Sequence, residues 1–241
     1  QLTFGGVADA KMNASVQLHE LIAGLSDRND DRPVVIRFPK GRYDFYEEGA
    51  FERVYYISNH DQTNPKKVAF ALENLSNVTI DGQGSEFVFH GRMIPFAIIK
   101  GKNIVLKNFS IDFELPVLRQ LTIKEVTNNT RELTAEIYPP GNYSIENSQL
   151  MLQGEGWKAK PQHYMVFRSD KRLAYKRADV GFRPEAVEEV QPNLLKISGL
   201  KDAEFAQPGE VLALRTYHRP TPGIFVTECV NTTLENVKVH Y

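Results

Sequence analysis

The sequence predicts an all-β protein: a parallel β-helix interrupted by a small antiparallel β-barrel or sandwich and covered at its start by a short helix. Three observations carry that prediction. Segments opening on Asn alternate apolar and polar residues, the first two of them recur with a period in the twenties, and a stretch with different turn chemistry separates the second from the third.

Taken in chain order, Asn13 to Leu25 places Val16, Leu18, Leu21, Ile22 and Leu25 at helical spacing. A helix there would cover the open first coil, which a β-solenoid must protect against edge pairing. PVVIRFPKGRYDF follows as an entering strand and a Gly turn. The first repeat is SNVTID (76–81), the second KNIVLKNFSIDF (102–113) and the third VNTTLENVKVHY (230–241). In each, the residues one and three places after Asn share a face: Val78 and Ile80, Ile104 and Leu106, Thr232 and Leu234. Phe109 and Ile111 extend the second copy; Val237 and Val239 extend the third. Asn at a bend tolerates the left-handed backbone and can bond to like residues above and below.

Asn77 to Asn103 is a step of 26 residues, and Asn103 to Asn231 a step of 128. Subtracting one period leaves roughly a hundred inserted residues. That insert, with its own core, contains LTIKEV, ELTAEIY, LMLQ, HYMVF, LLKISGL and EVLALR, separated by NNT, PPGN and QPGE turns. The expected organisation is therefore 1–114 for the helix and first coils, 115–214 for the insert, and 215–241 for the continuation. Tyr241 ends an alternating strand with no cap behind it, and the chain begins on Gln1, so it reads as part of a longer protein.

Composition excludes several functions. Hydrophobic residues make up 41% and charged residues 24%, with a formal net charge of −1; no electrostatic case exists for nucleic acid or an anionic membrane. No apolar run is long enough for a membrane-spanning helix. A single cysteine, Cys229, excludes an internal disulfide and a Cys-based zinc site. NVTIDGQGSEFVFHGR (77–92) lacks the third glycine of a dinucleotide fingerprint, and no Walker-type Gly-Lys-Ser/Thr occurs. Its Asp81-Gly82-Gln83-Gly84 reads as a coil turn.

The long run YYISNHDQTNPKKVAFALENLSNVTIDGQGSEFVFHGRMIPFAI resembles glycoside hydrolase family 110. RFPKGRYDF before it, LKNFSIDFELP after it and TPGIFV…NTTLENVKVHY extend the likeness, and the insert dilutes it. The resemblance implies a right-handed parallel β-helix with β-barrel domains. It also implies a secreted, periplasmic or cell-surface exo-α-galactosidase of bacterial type. Such an enzyme hydrolyses terminal α-1,3-linked galactose with inversion, without a metal or cofactor, on a galactose-terminated oligosaccharide or glycoconjugate, either the branched blood-group B structure or linear α-1,3-galactosides. The family's catalytic aspartates would fall after Tyr241, so no catalytic residue is carried over.

The candidates for sugar contact are His218, Arg219, His90, Arg92, Asp112 and His240. A common offset of 128 places His90 and His218 in one column with Arg92 and Arg219 close by, the histidines neutral so as not to repel the guanidiniums. The same offset sets Asp112 beside His240, either orienting a hydroxyl or forming a structural hydrogen bond. Arg215 and Arg219 could instead anchor the insert. Asp81, Glu114, Glu228 and Glu235 are further carboxylates on the coils, and a solvated or ion-paired role is open to each. His60-Asp61 and the Asn29-Asp30-Asp31 run read as loop residues, the latter without the spacing of a calcium loop. Two other functions share the scaffold: a polysaccharide lyase, which would need an acidic calcium cluster, and a glycan-binding adhesin, for which Trp157 and the insert's tyrosines would serve.

Overall fold

The computed structural model describes residues 1–9, 12–28, 30–57, 64–127, 131–168, 173–200, 207–217 and 221–240. The chain divides into two compact units, residues 1–115 with 220–241, and residues 116–219.

Unit 1 contains β1 (Leu2–Thr3), α1 (Ser15–Ser26), β2 (Val34–Arg37), β3 (Arg42–Phe45), β4 (Phe51–Arg53), β5 (Lys66–Glu73), β6 (Ser76–Phe89), β7 (Met93–Ile99) and β8 (Lys102–Phe113). In α1 the buried positions include Leu18, Ile22 and Leu25. The helix starts where the Asn13 carboxamide oxygen accepts the Ser15 N–H at 2.8 Å. Unit 2 follows with β9 (Arg119–Thr127), β10 (Glu132–Tyr138), β11 (Tyr143–Glu146), β12 (Gln149–Gly154), β13 (Trp157–Ala159), β14 (His163–Arg168), β15 (Leu173–Gly181), β16 (Ala186–Gln191), β17 (Leu194–Ser198) and β18 (Val211–Arg215). The chain then returns to unit 1 as β19 (Ile224–Thr227) and β20 (Val230–Val239).

Unit 1 is built from two sheets. One runs β1-β2-β6-β8-β20, with β3 on the far half of β6; the other runs β19-β7-β5-β4. Pairing is parallel throughout except between β4 and β5. This corrects the expected right-handed parallel β-helix: the architecture is two sheets sharing one core, closer to a sandwich. The reason lies in the Asn bends. The β6–β8 ladder runs from Ser76↔Lys102 to Phe89↔Phe113, straight through the bend at Asn108. Periodicity reads such a bend as the corner between two faces of a coil, whereas here one sheet bends and continues.

In-register pairing puts like residues in columns. Ile36, Ile80, Leu106 and Leu234 form one; Val78, Ile104 and Thr232 another. Between the sheets lies an aromatic stack, with Phe70 on Phe96 at 4.1 Å, Phe96 on Phe109 at 5.3 Å and Phe87 on Phe109 at 4.8 Å. Such offset stacks add to the burial of the rings themselves.

Two side-chain ladders hold the register. Asn231 donates its amide to Asn103 at 2.9 Å, Asn103 to Asn77 at 2.8 Å, and Asn77 to the Asp31 carbonyl at 2.8 Å. Their φ values are 57°, 54° and 58°. In the second ladder Asn236 donates to Asn108 at 3.2 Å and Asn108 to the Asp81 carboxylate at 3.0 Å. The stretch expected as a coil turn is a bulge inside β6, where Gly82-Gln83-Gly84 opposes the single residue Asn108. Positive φ occurs at Gln83 and Gly84. Gly82 is needed for closeness, since a Cβ there would lie 2.6 Å from Phe109 Cβ and 2.8 Å from the Asn108 carbonyl.

Unit 2 is an open seven-stranded antiparallel sheet, β15-β14-β18-β9-β10-β17-β16, plus the small sheet β11-β12-β13. Its own core includes Leu121, Ile137, Leu152, Val187 and Leu212, with Trp157 packed against it. Arg119 opens β9 opposite Leu214 near the end of β18. Wholly buried, it donates to the carbonyls of Pro116 and Leu118 and, at 2.9 Å, to that of Gln153. Burial pulls its pKa below the ordinary guanidinium value.

The Asn103 position separates backbone strain from ladder bonding. Asn103→Gly keeps the left-handed backbone and loses the amide bonds, for an expected cost of about 1 kcal/mol. Asn103→Ala adds the strain of a Cβ at positive φ and is expected to cost about 2 kcal/mol. Urea unfolding of the three proteins checks the order; equal loss in both variants would show that φ is irrelevant there.

Candidate functional site

A cluster of titratable side chains in unit 1 forms where β3 meets the ends of β6 and β8. Arg42 and Asp44 alternate on β3, so both reach the same face. The Arg42 guanidinium grips Asp44 with two bonds, Nε to Oδ2 at 2.9 Å and Nη2 to Oδ1 at 2.7 Å, and also donates to Glu114 Oε2 at 2.6 Å. Asp44 is 0% exposed. Its Oδ1 lies 2.8 Å from His90 Nε2, and the His90 ring stacks on Tyr46 with centroids 3.9 Å apart. The two carboxylates hold Arg42 well above the ordinary guanidinium pKa; the Asp44 bond dominates, against the opposing effect of burial.

Asp44, His90 and Glu114 each offer a ligand atom within 4.8 Å of the others. The protein already supplies the positive charge there, because Arg42 bonds both carboxylates. A carboxylate taken wholly out of water needs such a partner. The arrangement joins three separated stretches of chain, and its fork geometry suits bracing.

The sequence candidates fall in different places. His90 is 6% exposed and belongs to this cluster. The Arg92 N–H bonds Glu47 at 2.6 Å, and burial lowers the Arg92 pKa against the pull of Glu47. Asp112 accepts the Phe113 N–H at 2.8 Å. His240 stands beside it in register, its N–H on the Ile111 carbonyl at 2.9 Å, but the two side chains make no hydrogen bond with each other. His218 and Arg219 lie outside the described residues, as do His60, Asp61 and Asn29. Glu228 lies 4.0 Å from Lys100. Arg42, Asp44 and Tyr46 were not singled out from sequence. The alternation Arg-x-Asp in GRYDF, on a strand otherwise buried, was the available signal.

Asp81 anchors the second Asn ladder. Burial disfavours its charge, yet the Asn108 amide, the Gln83 N–H, Lys107 and Arg37 outweigh that and lower its pKa. In unit 2 the Tyr143 hydroxyl donates to Glu189 at 2.5 Å, and burial together with that carboxylate pushes Tyr143 up to about 12. Among the described residues, every carboxylate with a resolved shift moves downward: Asp30, Glu52, Asp81, Glu146 and Glu189.

Two outcomes are expected. Arg42→Ala leaves Asp44 buried without its counter-ion and costs about 3 kcal/mol, near the low end for a broken buried pair because part of the guanidinium reaches solvent. Denaturant unfolding measures it, and a loss under about 0.5 kcal/mol would make the pair dispensable. For Asp81 the folded pKa lies below the unfolded one. Its stabilisation is therefore present above the ordinary carboxylate pKa and fades as pH falls through the folded value. Asp81→Asn should flatten the acid limb of a stability–pH profile; an unchanged limb would assign it to other groups.

A family model described as GLAA-B β-barrel domain I matches residues 119–212, within unit 2. The α-1,3-galactosidase B of Phocaeicola vulgatus is 47% identical over 242 residues, covering 99% of this chain and 40% of that protein. That of Bacteroides fragilis is 45% identical, with the same 99% and 40% coverage. The α-1,3-galactosidase A of Shewanella woodyi is 35% identical over 85% of this chain and 34% of its own length. The likeness takes in both units and is not confined to the barrel match. These matches fit the N-terminal portion of glycoside hydrolase family 110, and the chain spans about two fifths of the length of the curated relatives it matches.

Proposed function

We propose that this chain is the scaffold-bearing portion of an exo-acting glycosidase that releases terminal α-1,3-linked galactose from an oligosaccharide or glycoconjugate with inversion, acting outside the cytoplasm. The observation carrying the reading is the 47% identity, over 99% of the chain, to a protein named α-1,3-galactosidase B. Inversion needs a protonated carboxylic acid and an ionised carboxylate about 6.5–9.5 Å apart, with a water between. The acid member works with a pKa raised toward neutrality.

Three of the described acids are committed to bonds within the fold. Asp44 is locked to Arg42 and His90, Glu114 to Arg42, and Asp81 to Asn108 and Gln83. All resolved carboxylate shifts run toward stronger acids, the opposite of what a proton donor needs. The catalytic pair is accordingly assigned to polypeptide outside these 241 residues, with unit 1 as the rigid sheet framework beneath it.

The 241-residue chain incubated with an α-1,3-linked galactoside should release no galactose, while a protein with the full length of the relatives should. Proton NMR of early product should show β-galactose first. α-Galactose first would exclude inversion, and an unsaturated product absorbing in the ultraviolet would point to a lyase. Turnover by this chain alone would return catalysis to its own acids, Asp112 and Glu228 foremost.

A further inference from the structure

Asp44, His90 and Glu114 form a donor set of two carboxylates and one imidazole, with one ligand atom from each within 4.8 Å of the others. Zinc holds such ligands at about 2.0–2.2 Å, which sets neighbouring ligand atoms about 3.4 Å apart in a tetrahedron. Reaching that geometry needs a small opening between Asp44 Oδ1 and His90 Nε2, which lie 2.8 Å apart, and an approach by Glu114. Two of the ligands are already fixed in place. Asp44 has no exposure, and His90 is buried with its ring stacked on Tyr46. The other side is open to solvent, since the side chains of Arg42 and Glu114 are 35% and 45% exposed. A single nitrogen of Arg42, Nη2, bonds Asp44 Oδ1 at 2.7 Å and Glu114 Oε2 at 2.6 Å. It stands between the two carboxylates, where a metal ion would stand. Charge points the same way: one guanidinium offsets one carboxylate, whereas a divalent ion would offset both.

We propose that this cluster is a transition-metal site in which the Arg42 guanidinium takes the metal's place, so that removing that side chain opens it to zinc. Arg42 holds the position because it is tethered, and a tethered group competes at an effective concentration that a trace metal does not reach. Zinc entering the unaltered chain must first break the guanidinium's bonds to both carboxylates, a cost equivalent to roughly a hundredfold in affinity. Without Arg42, Asp44 is a buried carboxylate lacking its counter-ion. Zinc supplies that charge through Asp44, Glu114 and His90 Nε2, with water in the fourth position. The imidazole sets the choice of ion. Nitrogen ligands suit zinc and cobalt, whereas calcium and magnesium need a shell of oxygens that these three side chains do not provide. Guanidinium and metal do the same work, tying the ends of β6 and β8 to β3, and Arg42 makes that tie independent of metal supply.

The probes are cobalt and zinc chloride, titrated into the 241-residue chain and its Arg42→Ala variant. Cobalt should give the variant the visible absorption bands of a low-coordinate ion, and zinc should abolish them by displacement. Zinc should also raise the variant's urea midpoint as its concentration rises, while calcium leaves it unchanged. The unaltered chain should need roughly a hundredfold more zinc for the same occupancy. Adding His90→Ala to the variant should remove the cobalt bands. Should Arg42→Ala unfold without metal, folding on addition of zinc would support the proposal, and Arg42→Gln, whose carboxamide can still donate to Asp44, would be titrated beside it. Equal zinc affinity with and without Arg42 would overturn the proposal, as would bands that survive the loss of His90. Indifference of both Arg42 variants to zinc up to about 0.1 mM would overturn it as well.

Discussion

Unit 1 depends on one constraint, the stacking of equivalent residues at a single register. A parallel sheet has no hairpin to set its alignment, and a slip of one residue would turn every inward side chain outward. The Asn ladders remove that freedom. Each carboxamide must meet the one on the neighbouring strand, and each sits at a left-handed backbone position that most residues avoid. The aromatic stack and the apolar columns are then downstream of the ladders, because Phe109 can lie against Phe87 and Phe96 only when Asn103 meets Asn77. Charge reinforces the same alignment, since the column from Arg37 through Asp81 to Lys107 sets opposite signs side by side.

The buried Asp44 follows a different logic. A carboxylate with no exposure must be charge-compensated, and Arg42 does this from the next position on the same face. The pair then reaches outward to His90 and Glu114, which stand at the ends of β6 and β8. Strand ends fray where backbone pairing stops, and an ionic knot at that place compensates for the lost ladder bonds. The acids and bases most visible in the fold are thus committed to holding it. This division of labour is consistent with chemistry carried by other residues.

How much of this was readable in the sequence depends on whether the residues repeat. The pairing of Ile104 with Thr232 and of Leu106 with Leu234 follows from an Asn offset of 128, even across an intervening unit. The helix pattern and the alternating strands after Leu115 carried equally local signals. The overall architecture was misread because Asn108 bends a strand without ending it; periodicity marks the bend but cannot say whether pairing continues through it. Gly82 was misread for a related reason: glycine marks both turns and close approaches, and only the neighbour, Phe109, distinguishes them. Asp44 escaped notice because it lies on a strand with no second copy, and its partner His90 is 46 residues away in sequence, while Glu114 is 72 residues from the Arg42 it bonds.

The placement of Trp157 gives the two units different optical signatures. It is the chain's single tryptophan and packs against the core of unit 2, while unit 1 is filled with phenylalanine. Tryptophan emission therefore follows the packing of unit 2 alone. Far-ultraviolet dichroism, by contrast, averages the strands of both. Comparing the two signals through a melt reveals whether the interruption in the sequence is also an interruption in cooperativity: superimposed curves mean one transition, and displaced curves mean two.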